Sequence, residues 1–107
     1  MKLPEIVSEL VRTQNNFDSV DYANCFSQTA IVHDDGKTHK GKKEIEEWIT
    51  DANEKYSATM EPLDFEENGL QSKLKVKVEG NFDGSPIVLN YHLEISDGLI
   101  QSLRVTG

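Results

Sequence analysis

Leu74-Lys75-Val76-Lys77-Val78-Glu79-Gly80-Asn81-Phe82-Asp83-Gly84-Ser85-Pro86-Ile87-Val88-Leu89-Asn90-Tyr91-His92-Leu93 decides the fold. It alternates apolar and polar residues on both sides of an Asp-Gly pair, the pattern of two strands joined by a hairpin with one face buried. With Asp83-Gly84 as a two-residue turn, Val78 faces Leu89, Val76 faces Tyr91 and Leu74 faces Leu93. The other face then pairs Lys77 with Asn90, Lys75 with His92 and Lys73 with Glu94. One side is apolar or aromatic and the other polar, and a one-residue slip would spoil both.

Working outward, Asn68-Gly69 and Asp97-Gly98 extend this hairpin to a four-strand antiparallel meander over Thr59–Val105, since such pairs suit two-residue turns. Across Asn68-Gly69, Leu63 is expected opposite Leu74 and Asp64 opposite Lys73. Pro62 marks that outer strand as an edge or a bulge. Across Asp97-Gly98, Ile95 pairs with Ile100, and strict alternation would then expose Leu103 and Val105. One extra residue near Gln101-Ser102 returns both to the inner face, which predicts a β-bulge there.

Before the meander come three helices and a short hairpin. Pro4–Gln14 places Ile6, Val7, Leu10, Val11 and Gln14 on one helical face. A shorter helix runs from about Ser19 to Phe26, capped by Asp18 or Ser19, with Val20, Tyr22, Ala23 and Phe26 on its buried side. Thr29–His33 and Lys37–Lys40 form a small hairpin around Asp34-Asp35-Gly36, with Ile31 and His33 on one face and Ala30, Val32 and Asp34 on the other. Lys42–Asn53 is the third helix, its apolar stripe made of Ile45, Trp48, Ile49 and Ala52. This order predicts an α+β fold: a bent antiparallel sheet, cone-shaped, with the three helices of the N-terminal half packed on its concave face. Residues 1–107 are expected to form one domain.

The net charge of −8 argues against nucleic acid and against an anionic membrane surface. No apolar run is long enough to span a bilayer and no secretory leader is visible, so a cytoplasmic location is expected. Cys25 stands alone and reads as a small buried hydrophobe. No metal or cofactor is expected, because the histidines and carboxylates lack a metal-ligand signature and no glycine-rich phosphate loop is present.

Chemistry concentrates at His33-Asp34-Asp35, with His39 across the small hairpin. Paired histidine and carboxylate can support proton transfer, with Asp34 as base once partial desolvation raises its pKa, or with His33 in that role. The competing reading is an ordinary Asp-Asp-Gly turn. Tyr91 sits on the apolar face of a central strand, where its hydroxyl needs a partner or a ligand oxygen. Trp48, Tyr56 and Phe65 are candidate walls of the same space, and Tyr22 is core first and wall second. His92 has the opposite parity and is left out.

Phe26-Ser27-Gln28-Thr29-Ala30-Ile31-Val32-His33-Asp34, His39-Lys40-Gly41 and Ile45-Glu46-Glu47-Trp48-Ile49 resemble the nuclear-transport-factor-2-like superfamily, in its SnoaL-like branch. Gly80–Pro86 and Asp97–Val105 are similar to small bacterial members of that branch. The resemblance implies a cone-shaped α+β barrel, a homodimer formed through the outer sheet face, and a pocket between sheet and helices. Its members include ketosteroid isomerases, polyketide cyclases and dehydratases. In the isomerase-like pattern a carboxylate at the end of the first strand takes a proton next to a carbonyl, and Asp34 matches it. The tyrosine donor of the first helix is missing, Val11 standing in that region, and Tyr91 falls near the position of the second donor. Three functions follow as expectations. The first is a protein binding a small apolar or carbonyl-bearing molecule, with Trp48, Tyr56, Phe65, His39 and Tyr22 around it. The second is an isomerase, cyclase or dehydratase using Asp34 with His33 or Tyr91. The third is a dimeric accessory module whose interior is filled.

Overall fold

The alternation of strand residues and the three helical stripes resolve into α1 (Glu5–Asn15), α2 (Ser19–Ala23), β1 (Phe26–Asp34), β2 (Lys37–Lys40), α3 (Gly41–Tyr56), β3 (Thr59–Asn68), β4 (Gln71–Glu79), β5 (Ile87–Ser96) and β6 (Leu99–Thr106). The computed structural model describes all residues, Met1–Gly107. No helix is long and apolar enough to cross a membrane.

Alternation in β4 is complete. Ser72, Leu74, Val76 and Val78 are buried while Gln71, Lys73, Lys75, Lys77 and Glu79 are exposed. Lys73 and Lys77 reach across to Glu66 and Glu61 of β3 at 3.6 and 3.5 Å. These ion pairs are exposed and add little stability, but they mark this face as the polar one. The inner face carries the core, in which Val7 and Leu10 of α1, Tyr22 and Ala23 of α2 and Ile45 and Ile49 of α3 pack with Leu74, Leu93, Ile100 and Leu103.

The expected cone-shaped, all-antiparallel sheet is corrected on both counts. The six strands lie in the order β2-β1-β6-β5-β4-β3, an open sheet whose edges, β2 and β3, do not pair. β1 pairs with β6 in parallel, Val32 beside Leu103 and His33 beside Arg104. Turn residues specify only neighbouring antiparallel strands; a parallel pair needs a long crossover and leaves no local signature. Here everything from β2 to β5 forms that crossover.

The third hairpin follows the sequence reading closely. Asp97 and Gly98 have φ of 55° and 74°, the left-handed pair of a type I′ turn. Ile95 faces Ile100 and Glu94 faces Ser102, so Gln101 is the extra residue of a bulge. Leu103 is therefore buried opposite Leu93 and Val105 faces Tyr91.

The other two hairpins each move by two residues. Leu74 faces Tyr91, Val76 faces Leu89 and Val78 faces Ile87. Every residue of this middle hairpin keeps its face, because a shift of two preserves parity. Gly80–Pro86 forms the connection instead of a two-residue turn. Asn81 donates its backbone N–H to the Tyr56 carbonyl at 2.7 Å, and Gly80 lies so near α3 that a Cβ would come 2.6 Å from that oxygen. Pro86, with no N–H, could not have extended the ladder as a donor. In the first hairpin the turn is Gly69-Leu70, with Asn68 opposite Gln71 and Gly69 at φ 65°. Positive φ at the first central residue alone fits a type II′ turn. Phe65, not Leu63, thus faces Leu74, and Leu63 bulges out, 42% exposed, next to Pro62 on the edge strand.

The helices differ at their ends. α2 stops at Ala23, with the Asp18 carboxylate accepting from the Asp21 N–H at 3.0 Å. Phe26 opens β1 rather than closing the helix, and Val20 is 56% exposed instead of buried. α3 runs on to Tyr56, and that extra turn supplies a residue to the site.

Candidate functional site

The inner faces of β4 and β5 diverge from α3 around a cavity of about 540 Å³, within the range of small-molecule sites. Trp48, Ile49, Ala52 and Tyr56 line it from α3; Val78, Ile87, Leu89 and Tyr91 line it from the sheet. These α3 positions follow i, i+1, i+4 and i+8, one helical face. Asp34 and Asp35 reach the cavity from the β1–β2 turn, and Phe82 and Asp83 from the β4–β5 connection. Phe82 meets Tyr56 edge-on, ring centres 6.0 Å apart, so Gly80 and Asn81 seat that connection on α3.

Of the residues singled out from sequence, Asp34, Trp48, Tyr56 and Tyr91 come together on this cavity. His39 stacks on Trp48 at 5.5 Å, in a smaller cleft shared with Asp34, Asp51 and Lys55. His33 points to the opposite face of β1, its Nδ1 3.2 Å from the Thr38 hydroxyl. Phe65 packs on the core beside Leu74, away from the cavity. Tyr22 is 1% exposed and lies under Trp48 and Phe26, ring centres 6.1 and 5.6 Å away. Gln14, Asn53, Phe82, Asp83 and Ile87 also line the cavity and were not picked out from the sequence. Gln14 alone carried a signal, as the polar member of an otherwise apolar helical stripe.

Burial raises the Asp34 pKa from its ordinary 3.8; the Trp48 indole opposes this, the Asp35 charge adds to it and His39 opposes it. Burial, and then the negative charge of Asp34, push the Tyr91 hydroxyl up. Tyr91 is therefore a neutral donor at any physiological pH, next to a carboxylate that takes up protons more readily than usual. Cys25 is pushed up to about 11, first by burial, and its thiol points at the Asp21 carbonyl, so it is unreactive. No three His, Cys, Asp or Glu side chains converge as a metal site.

The Tyr22 hydroxyl is fully enclosed and has no hydrogen-bond partner. An unsatisfied buried hydroxyl costs about 1–3 kcal/mol. Tyr22→Phe is accordingly expected to raise the melting temperature by roughly 4–8 °C per kcal/mol recovered. A lower melting temperature in a thermal scan would show that the hydroxyl is bonded after all.

The fold recurs in solved structures. A candidate polyketide cyclase from Sinorhizobium meliloti is 33% identical over 97% of this chain and 95% of its own, with a TM-score of 0.93. A protein with a ketosteroid isomerase-like fold from Catenulispora acidiphila, solved with trimethylamine, is 16% identical over 99% of this chain and 87% of its own, TM-score 0.89. The epoxide hydrolase/cyclase-like enzyme SalBIII, of pyran-ring formation in salinomycin, is 23% identical over 94% and 86%, TM-score 0.78. No family model and no curated protein matches the chain. The chain belongs to the nuclear-transport-factor-2-like superfamily, in its SnoaL-like, polyketide cyclase and ketosteroid isomerase-like branch.

Proposed function

We propose that this protein is an enzyme of the isomerase, cyclase or dehydratase type, in which Asp34 removes a proton from the carbon next to a carbonyl group. The observation that carries this reading is a half-buried carboxylate of raised pKa on the wall of an apolar cavity that also holds a neutral tyrosine hydroxyl. Such a pair divides the work of enolisation: the carboxylate takes the proton and the hydroxyl donates to the oxygen on which charge develops. Trp48 and Tyr56 hold the apolar body of the substrate. The likeness to the Sinorhizobium meliloti protein supports the same class of chemistry. The volume and apolar lining of the cavity favour a small-molecule role over an accessory module with a filled interior.

The test is exchange of the acidic α-protons of 2-tetralone for deuterium, followed by NMR with and without protein. Acceleration that rises with pH through the Asp34 titration is expected. Binding without any acceleration would make the protein a carrier of small carbonyl compounds instead.

A further inference from the structure

Gln14 is the polar residue of the α1 stripe and is only 6% exposed. Its Nε2 donates to the Ala58 carbonyl at 2.7 Å and to Asn53 Oδ1 at 3.2 Å. A carbonyl can only accept, so the bond to Ala58 fixes which way round the amide sits. Asn53 is held in turn by its Nδ2 donating to the Ser19 hydroxyl at 3.2 Å. Residues from α1, α2, α3 and the α3–β3 connection thus immobilise one amide. Both of its N–H groups are used within the protein, and Oε1 receives no donor from it, although the side chain lines the cavity. An acceptor on the cavity lining that receives no donor from the protein favours a ligand that brings one.

The position of this acceptor sets a distance. Trp48 adjoins Asp34, whereas Asn53 holds Gln14, and five residues of helix separate them, roughly 7.5 Å along the axis. The wall between is apolar, made by Ile49 and Ala52 on one side and Leu89 on the other.

We propose that Gln14 Oε1 is a specificity contact, and that the cavity takes a carbonyl compound carrying a hydroxyl or N–H donor at the end remote from the carbonyl. The proposal rests on the reading of Asp34 and Tyr91 as the carbonyl end. It assigns the far end to the Gln14–Asn53 pair.

Three probes separate the two ends: 2-tetralone, 6-methoxy-2-tetralone and 6-hydroxy-2-tetralone, of which only the last carries a donor remote from the ketone. Trp48 is the one tryptophan of the chain, so its indole N–H resonance reports binding without ambiguity in an NMR titration of the intact protein. The hydroxy compound is expected to bind about five- to tenfold more tightly than the other two, the effect of one net hydrogen bond. Gln14→Leu is expected to remove this preference while leaving the affinity for 2-tetralone within about twofold, since apolar packing is retained. Equal affinity of the three probes for the unaltered protein overturns the proposal, as does a preference that survives Gln14→Leu, or failure of all three to bind. If Gln14→Leu does not fold, the series on the unaltered protein decides alone. Asp34→Asn distinguishes the two claims: it is expected to keep the preference for the hydroxy probe. A clear preference in a protein that catalyses no exchange upholds the contact and removes the enzyme.

Discussion

Asp34→Asn is expected to lower the rate of α-proton exchange by about 10²–10⁴-fold, the usual contribution of a positioned general base. Asparagine keeps the size of the side chain and lacks the basic oxygen, so binding of 2-tetralone should hardly change. Loss of rate without loss of affinity separates removal of a base from collapse of the cavity. The same substitution has a second consequence, of defined sign. Because burial raises the Asp34 pKa in the folded state, folding takes up protons between the unfolded and folded values. The stabilisation linked to this group is fully present below the unfolded pKa and is lost as pH rises through the folded one. An amide in its place does not titrate, so the variant should gain stability relative to the original protein at pH 7 but not at pH 3. Denaturant unfolding at the two pH values checks this. Equal activity of the two proteins, or a variant destabilised more at pH 7 than at pH 3, contradicts the assignment.

The second large effect concerns Leu103, the residue that the bulge turns inward. Leu103→Arg would place an unpaired guanidinium between Leu93 and Val32. Losing the buried leucine costs about 1.5–3 kcal/mol, and an unpaired buried guanidinium costs several kcal/mol more. The sum is comparable to the whole stability of a small domain, about 5–15 kcal/mol. The substitution is expected to leave no cooperative thermal transition by circular dichroism. Deleting Gln101, by contrast, joins Ile100 to Ser102 with Glu94–Ser102 and Leu93–Leu103 still paired. It loses the 3.0 Å bond from Nε2 to the Ser96 carbonyl, about 1 kcal/mol, so that variant is expected to fold. A Leu103→Arg variant that melts like the original would mean that the bulged register does not hold this position inside.

These two predictions also show which parts of the fold were legible in the sequence. The bulge was readable because it resolves a conflict between two strong rules, strand alternation and the burial of Leu103. The slip of the middle hairpin was not, because two registers differing by two residues bury the same side chains. What chose between them was non-local, the seating of Gly80 and Asn81 on the end of α3. The parallel pairing of β1 with β6 was hidden for the same reason, and with it the open form of the sheet. Within the site, Asp34, Trp48, Tyr56 and Tyr91 were recognisable as polar or aromatic residues at apolar positions. His33 was drawn in by its place next to Asp34, yet neighbours on a strand face opposite ways. Phe65 was read as a wall residue, but on β3 it lies opposite Leu74. Asn53 and Phe82 carried no signal, since one sits at the edge of a helical stripe and the other in a connection resembling a simple turn.

Whether Asp34 is the base is decided by a ¹³C NMR titration of its side-chain carboxyl, set beside the pH profile of 2-tetralone exchange. One shared midpoint is expected, displaced upward from the ordinary aspartate value of 3.8. A carboxyl titrating at or below that value, or an exchange rate indifferent to its ionisation, would contradict the assignment.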